Sequence, residues 1–430
     1  MFKRIIIPIL LIITVSFTSC TEIIYSGKDN SIKNTNKKNI IKVDKSKLEK
    51  NIKLSPYYKK IKLRNGYKKL KTEAEKRVYN SIIAHCTDFT DKKESKNSKN
   101  YKLDSFTLAN ISISERQIAK AVFAVFQDNP QFFWLDEPYS YSYGGSSLTL
   151  KLYANMTSAQ YKKKYKQLNA VINRILAGMK SSMSEFEREL YLHDYLVKNC
   201  KYLKNDLDDK DSYTIYGCLV NQNAVCMGYT AAFQLLLSYV GINSITVTGS
   251  NTAAGHIWNA VKIEGDWYYT DVTWDDTEDF FMYDNFNITT KQLKRTHKIV
   301  PKISAFSGDE LFEKDGTIKN FNLMIPKCTA DKYNYYKYRG YILKNLFNNN
   351  MAESLAESAR AKKRYFYIYV DPESLDYNTV YKTLFNSELF AFSEYIKSAN
   401  SILGYSALKP SVSVTKKKYL NTITVLLKYY

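Results

Sequence analysis

The chain of 430 residues carries 63 Lys and Arg against 42 Asp and Glu, which gives a formal net charge of +21. Hydrophobic residues make up 45% of the chain and aromatic residues 14%, so a wholly disordered protein is excluded. With 15 Gly, 8 Pro and 6 Cys, collagen-like, proline-rich and disulfide-dense scaffolds are excluded too, and the length predicts two or three domains.

Residues 1–20 have the pattern of a bacterial lipoprotein signal peptide. A basic pair and an apolar run at residues 5–15 precede small residues and then Cys20. This order resembles a lipobox, with Phe17 where Leu is usual, and implies that Cys20 is lipidated and begins the mature chain. An ordinary signal peptide with an incidental Cys20 is the alternative. No later stretch is apolar over the roughly 18 residues of a span, so we expect an extracytoplasmic protein anchored to the outer face of the cell membrane.

Residues 21–66 are rich in Lys, Asn and Ser and predict a flexible basic tether. Beside a lipid anchor, such a tether would be attracted to anionic headgroups or wall polymers. Nucleic acid is excluded as a partner, because an exported protein rarely meets it and the tether has few aromatic residues for stacking. A Lys-rich composition without any partner is the simpler alternative.

Residues 67–185 predict a mostly helical, partly mixed N-terminal region. Two capping-box patterns, Ser114 with Gln117 and Ser184 with Glu187, mark helix starts. The predicted elements are a helix at 72–86, a loop at 87–105, a helix at 118–126, a strand at 148–153 and helices at 158–179 and 185–198.

Cys226 is the first candidate for chemistry. It lies just before a mostly apolar helix predicted at residues 230–240, which Gly241 ends. The amide groups and the dipole at a helix start favour a thiolate and lower the pKa of a thiol, so Cys226 is a candidate nucleophile. A lone cysteine is more often an inert packed thiol, so the interpretation needs partners.

Two alternating runs after this helix predict an antiparallel hairpin. The predicted strands are residues 256–263 and 267–274, joined by a turn at Gly265 and Asp266. Parity places His256 and Asp271 on the same, less apolar face, and the opposite face is predicted to be the buried one. Direct register places Asp271 opposite Ala260, so contact with His256 needs a bulge or another register.

A thiol at a helix start with an imidazole and a carboxylate on neighbouring strands is what thiol acyl transfer requires. Three motifs carry this set: VCxGY at 225–229, HxWN at 256–259 and WYxxDxTWD at 267–275. Together they resemble the bacterial transglutaminase-like superfamily over residues 186–300. The resemblance implies an α+β fold with a papain-like core, in which the helix bearing Cys226 packs on an antiparallel sheet. It also implies Cys226 as nucleophile, His256 as base and Asp271 as orienting acid.

The oxyanion of such a reaction needs hydrogen-bond donors. The backbone N–H of Cys226 at the helix start is one natural donor. The second stays open among Gln222, Tyr213 and Tyr216, with Gln222 ranked low.

The other histidines have structural interpretations. His193 lies on the apolar side of its predicted helix, which favours a hydrogen-bonded structural histidine with Asp194 as a local partner. His297 has no partner that the sequence can supply. His85 beside Cys86 falls short of a zinc ligand set.

Two acidic runs, at 208–211 and 275–279, lack the spacing of a calcium loop and predict solvated loops. We therefore expect no metal and no cofactor. Cys200, Cys218 and Cys328 are predicted to be free and packed. A disulfide between Cys218 and Cys226, acting as a redox switch, is a further hypothesis.

Residues 301–430 contain no catalytic motif and predict a small α+β domain, whose many tyrosines fill a core rather than bind a polymer. Its predicted elements are helices at 343–361 and 375–399 and strands at 365–370 and 422–428.

The expected function is that of a surface-anchored cysteine enzyme that attacks amides in peptides, in cell-wall or surface-protein substrates or in Gln side chains. Hydrolysis is favoured, because water is always present and no amine site is visible. A protein-glutamine cross-linking transglutaminase and a non-catalytic wall-binding or assembly module are the alternatives.

Overall fold

A computed structural model describes residues 3–5, 43, 64–204, 208–251, 255–276, 282–299, 325–347, 349–386 and 391–430. Cys20 and nearly all of the predicted signal peptide and tether lie outside these residues. The chain divides into two compact units, one of residues 1–285 and 293–328 and one of residues 286–292 and 329–430. The boundaries predicted at residues 66, 185 and 300 stay predictions.

The described residues form helices and strands in a mixed α+β arrangement. The helices are α1 (Glu73–His85), α2 (Glu115–Asp128), α3 (Ser158–Ala177), α4 (Glu185–Asn199), α5 (Cys226–Tyr239), α6 (Val272–Asp275), α7 (Thr290–Leu293), α8 (Tyr335–Arg339), α9 (Met351–Arg360), α10 (Tyr377–Phe385) and α11 (Phe392–Leu403). The strands are β1 (Lys3–Ile5), β2 (Phe89–Lys93), β3 (Tyr101–Leu103), β4 (Phe106–Leu108), β5 (Leu135–Gly144), β6 (Ser147–Ala154), β7 (Lys201–Tyr202), β8 (Asn223–Ala224), β9 (Asn243–Ser250), β10 (Gly255–Ile263), β11 (Asp266–Thr270), β12 (Lys298–Ile299), β13 (Tyr341–Leu343), β14 (Tyr365–Val370), β15 (Ser413–Lys417) and β16 (Thr422–Leu426).

The N-terminal region contains a six-stranded sheet as well as α1, α2 and α3, and the sequence predicts only one of its strands, β6, at residues 148–153. The strand order is β1-β5-β6-β3-β2, and β4 also pairs with β6. β2 and β3 lie inside the predicted loop at 87–105. Their polar residues show no clear alternation, and pairing with each other and with β6 makes them strands. β5, which we did not predict, buries Tyr139 and Tyr141 on alternate positions.

Both capping-box predictions are confirmed. The Ser114 hydroxyl accepts from the amide of Gln117, and the Ser184 hydroxyl accepts from the amide of Glu187, with the reciprocal bonds also present. Each box satisfies backbone donors that a helix start leaves unpaired. α4 therefore begins at the predicted residue, and α2 begins directly after its cap at Glu115, three residues before the predicted start at 118.

The sheet that positions the site has the order β11-β10-β9-β12, all antiparallel. α5 contacts β9 and β10, and nearly all of its side chains are buried. The prediction that the hairpin face bearing His256 is not the buried one is wrong. Trp258 on that face is 1% exposed, because it packs against Gly249 and the ring of His297.

The hairpin turn lies one residue earlier than predicted. Its two turn residues are Glu264 and Gly265, both with positive φ (47° and 98°), and Ile263 pairs with Asp266. Positive φ at both positions is the two-residue turn that suits the twist of a hairpin. The strand also ends at Thr270, so the predicted strand end at 271–274 is the helix α6 instead.

The second unit is a four-stranded sheet of order β13-β14-β16-β15 with a core shared by α9, α10 and α11. β14 matches the predicted strand at 365–370. The helix predicted at 343–361 starts only at Met351, because β13 pairs in parallel with β14 before it. The helix predicted at 375–399 is two helices, α10 and α11. Among the helices that the structure describes, none is long and apolar enough to cross a membrane.

Candidate active site

Cys226 is the first residue of α5 and is 6% exposed. The preceding Val225 is extended and its side chain makes no capping bond, so the helix start presents backbone amides beside the thiol. The segment before it folds over this turn, where the amide of Val225 donates to the carbonyl of Ser212 at 3.0 Å. A Cβ at Gly228 would lie 2.6 Å from that same carbonyl, which is why the turn needs glycine there.

His256 joins the thiol to a carboxylate. Its Nε2 donates to Oδ2 of Asp271 at 2.6 Å, and both side chains are buried. A side-chain hydrogen bond links the same imidazole to Cys226. Because Nε2 is hydrogen-bonded to Asp271, Nδ1 is the ring nitrogen that remains for the thiol. The three side chains therefore form a chain of sulfur, imidazole and carboxylate.

Asp271 reaches His256 because it is no longer a strand residue. It is the N-cap of α6, where Oδ1 accepts from the amides of Thr273 at 3.0 Å and Trp274 at 3.2 Å. Its own amide donates to the carbonyl of Asn285 at 2.9 Å. The helix cap occupies Oδ1 and turns Oδ2 towards the imidazole. The cap therefore explains the contact between Asp271 and His256, which the predicted strand register does not.

The electrostatics of the pair favour an ion pair. Burial lowers the pKa of His256, but the charge of Asp271 and hydrogen bonds to Asp271 and Cys226 outweigh it and raise that pKa to about 10. Burial raises the pKa of Asp271, but His256 and His297 outweigh it and hold that pKa well below its usual range. An imidazolium hydrogen-bonded to a thiol stabilises the thiolate, which is the nucleophilic form.

A second histidine contacts the same carboxylate. His297, buried at 3% exposure, places Nε2 3.1 Å from Oδ2 of Asp271 and Nδ1 2.8 Å from Oγ1 of Thr296. Its ring lies 4.5 Å from that of Trp274, centroid to centroid. Sequence reasoning gave His297 no partner, because it follows Asp271 by 26 residues in no fixed pattern.

The ligand atoms of His256, Asp271 and His297 lie within 4.8 Å of one another, close enough to hold a metal ion. Hydrogen bonding explains the same geometry, since an ionised carboxylate can only accept and both imidazoles then donate to it. A divalent cation would have to displace both N–H protons. The absence of a required metal stays a prediction.

Residues 170–272, which include Cys226, His256 and Asp271, match the family described as the transglutaminase-like superfamily. The chain contains a transglutaminase-like domain. It is also similar to kyphoscoliosis peptidase of Mus musculus, at 26% identity over 121 residues. That similarity covers 25% of this chain, and the chain spans only 18% of the length of that relative.

Two solved structures are similar to the chain. One, a crystal structure of a TGase, covers 48% of this chain and 60% of its own at 15% identity and a TM-score of 0.25. The other, a putative cysteine protease from Cytophaga hutchinsonii, covers 51% of this chain and 74% of its own at 11% identity and a TM-score of 0.23.

Another buried His–Asp pair joins α4 to α6. Nε2 of His193 lies 3.1 Å from Oδ2 of Asp275, and its Nδ1 lies 3.1 Å from Oδ1 of Asp194, as expected for a local partner. His193 is thus the structural histidine that its helix pattern indicates. The interpretation of Asp275 as part of a solvated acidic loop is wrong, because it is fully buried and accepts from Asn285 at 2.9 Å.

The first acidic run, at residues 208–211, also makes specific contacts. Asp209 caps a short helix at Lys210–Tyr213, and Asp211 pairs with Lys164 at 2.6 Å. Part of the second run, residues 277–279, lies outside the described residues.

The three candidates for the second oxyanion donor differ in their partners. The hydroxyl of Tyr216 donates to Gln167 at 2.6 Å, and Oε1 of Gln222 accepts from the amide of Val43 at 2.8 Å. Tyr213 follows the residue whose carbonyl binds Val225, and burial together with the nearby Cys226 raises its pKa. The surroundings of Tyr213 thus include the thiol.

The cysteines that the structure describes are buried and form no disulfide with one another: Cys86, Cys200, Cys218, Cys226 and Cys328. The hypothesised disulfide between Cys218 and Cys226 is therefore not formed in this structure. Cys20, the predicted lipidation site, lies outside the described residues.

Proposed function

We propose that this protein is a cysteine enzyme that transfers acyl groups from amides through a Cys226 thioester, with water as the usual acceptor. The observation that carries the proposal is the continuous hydrogen-bonded chain from Cys226 through His256 to Asp271 at the start of α5. The family match over residues 170–272 supports it, because the transglutaminase-like superfamily shares thiol acyl-transfer chemistry.

The geometry supports one step for each side chain. The thiolate of Cys226 attacks the carbonyl carbon of an amide, and the backbone N–H at the helix start faces the developing oxyanion. The imidazolium of His256 then gives its proton to the leaving amine as the C–N bond breaks. Water attacks the thioester while His256 takes its proton, and the carboxylic acid leaves as the C–S bond breaks, which restores the thiolate of Cys226 beside the imidazolium of His256. Asp271 holds the imidazole in position throughout.

The location and the substrate belong to the same proposal. The N-terminal pattern around Cys20 supports anchoring on the outer face of the cell membrane. An enzyme placed there would meet peptides, cell-wall peptides and surface proteins. A Gln side chain with an amine acceptor would instead give cross-linking, so the acceptor is an outcome of the test.

The test compares wild type with Cys226→Ala in two assays. Hydrolysis of fluorescent casein reports water as acceptor, and incorporation of dansylcadaverine into casein reports an amine. We expect casein hydrolysis that falls by at least about 10³-fold in Cys226→Ala, since the nucleophile is lost. Cys86→Ala, another buried thiol change, should retain wild-type rates.

Alkylation by iodoacetamide gives a readout that needs no substrate. Cys226 should react faster near neutral pH in wild type than in His256→Ala, because the imidazolium stabilises the thiolate. Equal turnover in wild type and Cys226→Ala, or equal alkylation in wild type and His256→Ala, would refute the enzyme assignment. Wall-polymer binding without turnover in either protein would favour a binding module.

A further inference from the structure

The carboxylate of Asp271 receives four hydrogen bonds from described residues. Two backbone amides of α6 donate to Oδ1, and two imidazoles, those of His256 and His297, donate to Oδ2. A carboxylate has about four lone-pair sites, so this set fills it. Orienting one imidazole requires only one of these bonds, which leaves the second imidazole unexplained by the triad.

The fold brings His297 to this place through a close backbone approach. β12 follows His297 directly and pairs with β9, with Ile299 opposite Gly249. A Cβ at Gly249 would lie 2.2 Å from the carbonyl of Lys298 and 2.5 Å from the ring of Trp258. The glycine therefore lets β12 and Trp258 close over the site. Because Gly249 also pairs with His256 across β9 and β10, the two imidazole rings lie close together, with their centroids 5.5 Å apart.

We propose that His297 is a positioning residue that holds Asp271 ionised and in the orientation that aligns His256 with Cys226. This inference rests on the proposed function. In this proposal His297 acts through the carboxylate of Asp271 and not on the thiol itself.

The physical argument is that a buried carboxylate needs partners to stay charged and fixed. Without His297, Oδ2 would keep a single donor in a site that solvent hardly reaches, and the carboxylate could turn about its bond to Cβ. A turn of this kind would misalign the imidazole, and small misplacements of catalytic groups cost up to about 10²-fold in rate. Packing of His297 between Trp258 and Trp274 fixes the second imidazole itself.

The neighbours of Asp271 restrict what can titrate there. Among the described residues, the ionisable groups that face its carboxylate are His256 from β10 and His297 before β12, and α6 contributes only the amides of its first turn. Cys226 faces His256 from α5. Removing the donor of His297 disfavours the ionised carboxylate, so protonation of Asp271 moves to higher pH.

The experiment compares three substitutions of His297 that differ in whether they place an N–H group within reach of Oδ2. His297→Phe keeps the ring between the two tryptophans and removes the donor. His297→Gln keeps an N–H at the position of Nε2, and His297→Asn places its amide too short to reach Oδ2. We expect kcat/KM for casein to fall about 10- to 100-fold in the Phe and Asn variants and to stay within about threefold of wild type in the Gln variant.

The pH profile separates positioning from packing. The acid limb of kcat/KM should move to higher pH in His297→Phe and not in His297→Gln. A residue needed only for packing would lower the rate equally at every pH. His85→Gln is the matched control, because His85 pairs with Asp88 at the surface. The proposal is overturned by wild-type rates in His297→Phe, by equal losses in the Gln and Phe variants, or by activity lost on chelation and restored by Zn²⁺.

The two proposals fail differently. If wild type and Cys226→Ala turn over casein equally, the enzyme assignment fails. If that comparison holds and His297→Phe keeps wild-type rate and acid limb, only the role of His297 fails. Should His297→Phe not fold, the Gln and Asn variants still decide, since both are polar and similar in size.

Discussion

Asp271 connects two structural roles in a single side chain. One oxygen caps α6 and the other accepts from two imidazoles, so the start of a short helix and the alignment of the site depend on the same carboxylate. Capping residues with a free second oxygen are well suited to this, because the cap fixes the carboxylate before any substrate arrives. The site is therefore preorganised by backbone geometry rather than by side-chain packing alone.

Replacing Asp271 by Asn tests the charge of that carboxylate. We expect kcat/KM for casein to fall about 10²- to 10⁴-fold, since the neutral amide neither stabilises the imidazolium nor fixes its tautomer. The negative charge of Asp271 raises the pKa of His256 to about 10, so its removal lowers that pKa and shifts the alkaline limb of the rate profile to lower pH.

The measurement for Asp271→Asn is kcat/KM from about pH 5 to about pH 10. Asp88→Asn is the control, because Asp88 forms the other short His–Asp contact at 2.7 Å, with His85, in an exposed position. An alkaline limb that stays at the wild-type pH would contradict the assignment of His256 as the titrating acid.

The sequence could predict Cys226, His256 and Asp271 as candidates because each sits at a readable element boundary or strand position. His297 could not be predicted, since its partner is chosen by the pairing of β12 with β9, which no local pattern encodes. Asp275 was misassigned for a related reason. A run of acidic residues suggests solvent, and only the fold shows that His193 and Asn285 meet this one carboxylate in the interior.

At the scale of elements, a shift of one residue in a turn changes the register of the whole hairpin. The parity of the paired residues survives the shift, but Asp271 lies beyond the end of β11 and contacts His256 as the cap of α6. Their distance was not predictable, because it depends on where the strand ends and α6 begins. That boundary follows from the Asp271 cap, which competes with continued strand pairing after Thr270.

The His193–Asp275 pair ties α4 to α6, the helix that Asp271 caps. His193→Phe should cost about 3–5 kcal/mol, because Asp275 is left buried and without its counter-charge. His193→Phe with Asp275→Asn should recover part of that loss, since the charge is gone and the amide oxygen can still accept from Asn285. Urea unfolding of the four proteins of this cycle gives the coupling, and an additive cycle would contradict it.

The same pair predicts a pH dependence with a fixed sign. Burial lowers the pKa of His193, but hydrogen bonds to Asp194 and Asp275 outweigh it and raise that pKa to about 9. The unfolded value is about 6.5, so the stabilisation is fully present below that pH and is lost as pH rises through about 9. Burial raises the pKa of Asp275 to about 6 although His193 lowers it, so Asp275 titrates in the single variant as well. The difference in unfolding free energy between wild type and the double variant His193→Phe with Asp275→Asn, in which neither group titrates, should therefore shrink between about pH 7 and about pH 10. His85→Phe, at the surface, should show no such trend.

For the whole molecule, local patterns predicted helices better than sheets. Capping boxes fixed the starts of α2 and α4, whereas β2, β3 and β5 exist through pairing with distant partners in the N-terminal sheet. Long-range pairing is not a local property, so the sequence does not predict these three strands. In the second unit, β13 likewise forms by pairing with β14, and the sequence pattern predicts only the helix that follows it.

The proposed anchor belongs to the whole molecule, because it decides which substrates the site can meet. Cys20→Ser should move the protein from the membrane to the soluble fraction and abolish labelling by an alkyne analogue of palmitate. A basic tether alone can hold a protein to anionic headgroups, at about 1 kcal/mol per Lys or Arg near the surface, and salt screens that attraction. Fractionation at about 1 M NaCl therefore separates the two modes, since only the lipid anchor should resist it.

Cys86→Ser provides the control for this fractionation, because it removes a thiol from the folded region and leaves Cys20 in place. It should remain in the membrane fraction and keep the lipid label. The lipid anchor is contradicted if wild-type protein carries no label, or if salt releases it as readily as Cys20→Ser. The charge of the tether would then be the link to the membrane. In that case the site would act on substrates near the surface that attracts the tether, and the proposal of a lipid-anchored location would fail. The proposed chemistry at Cys226 would not be affected, because it has a separate test.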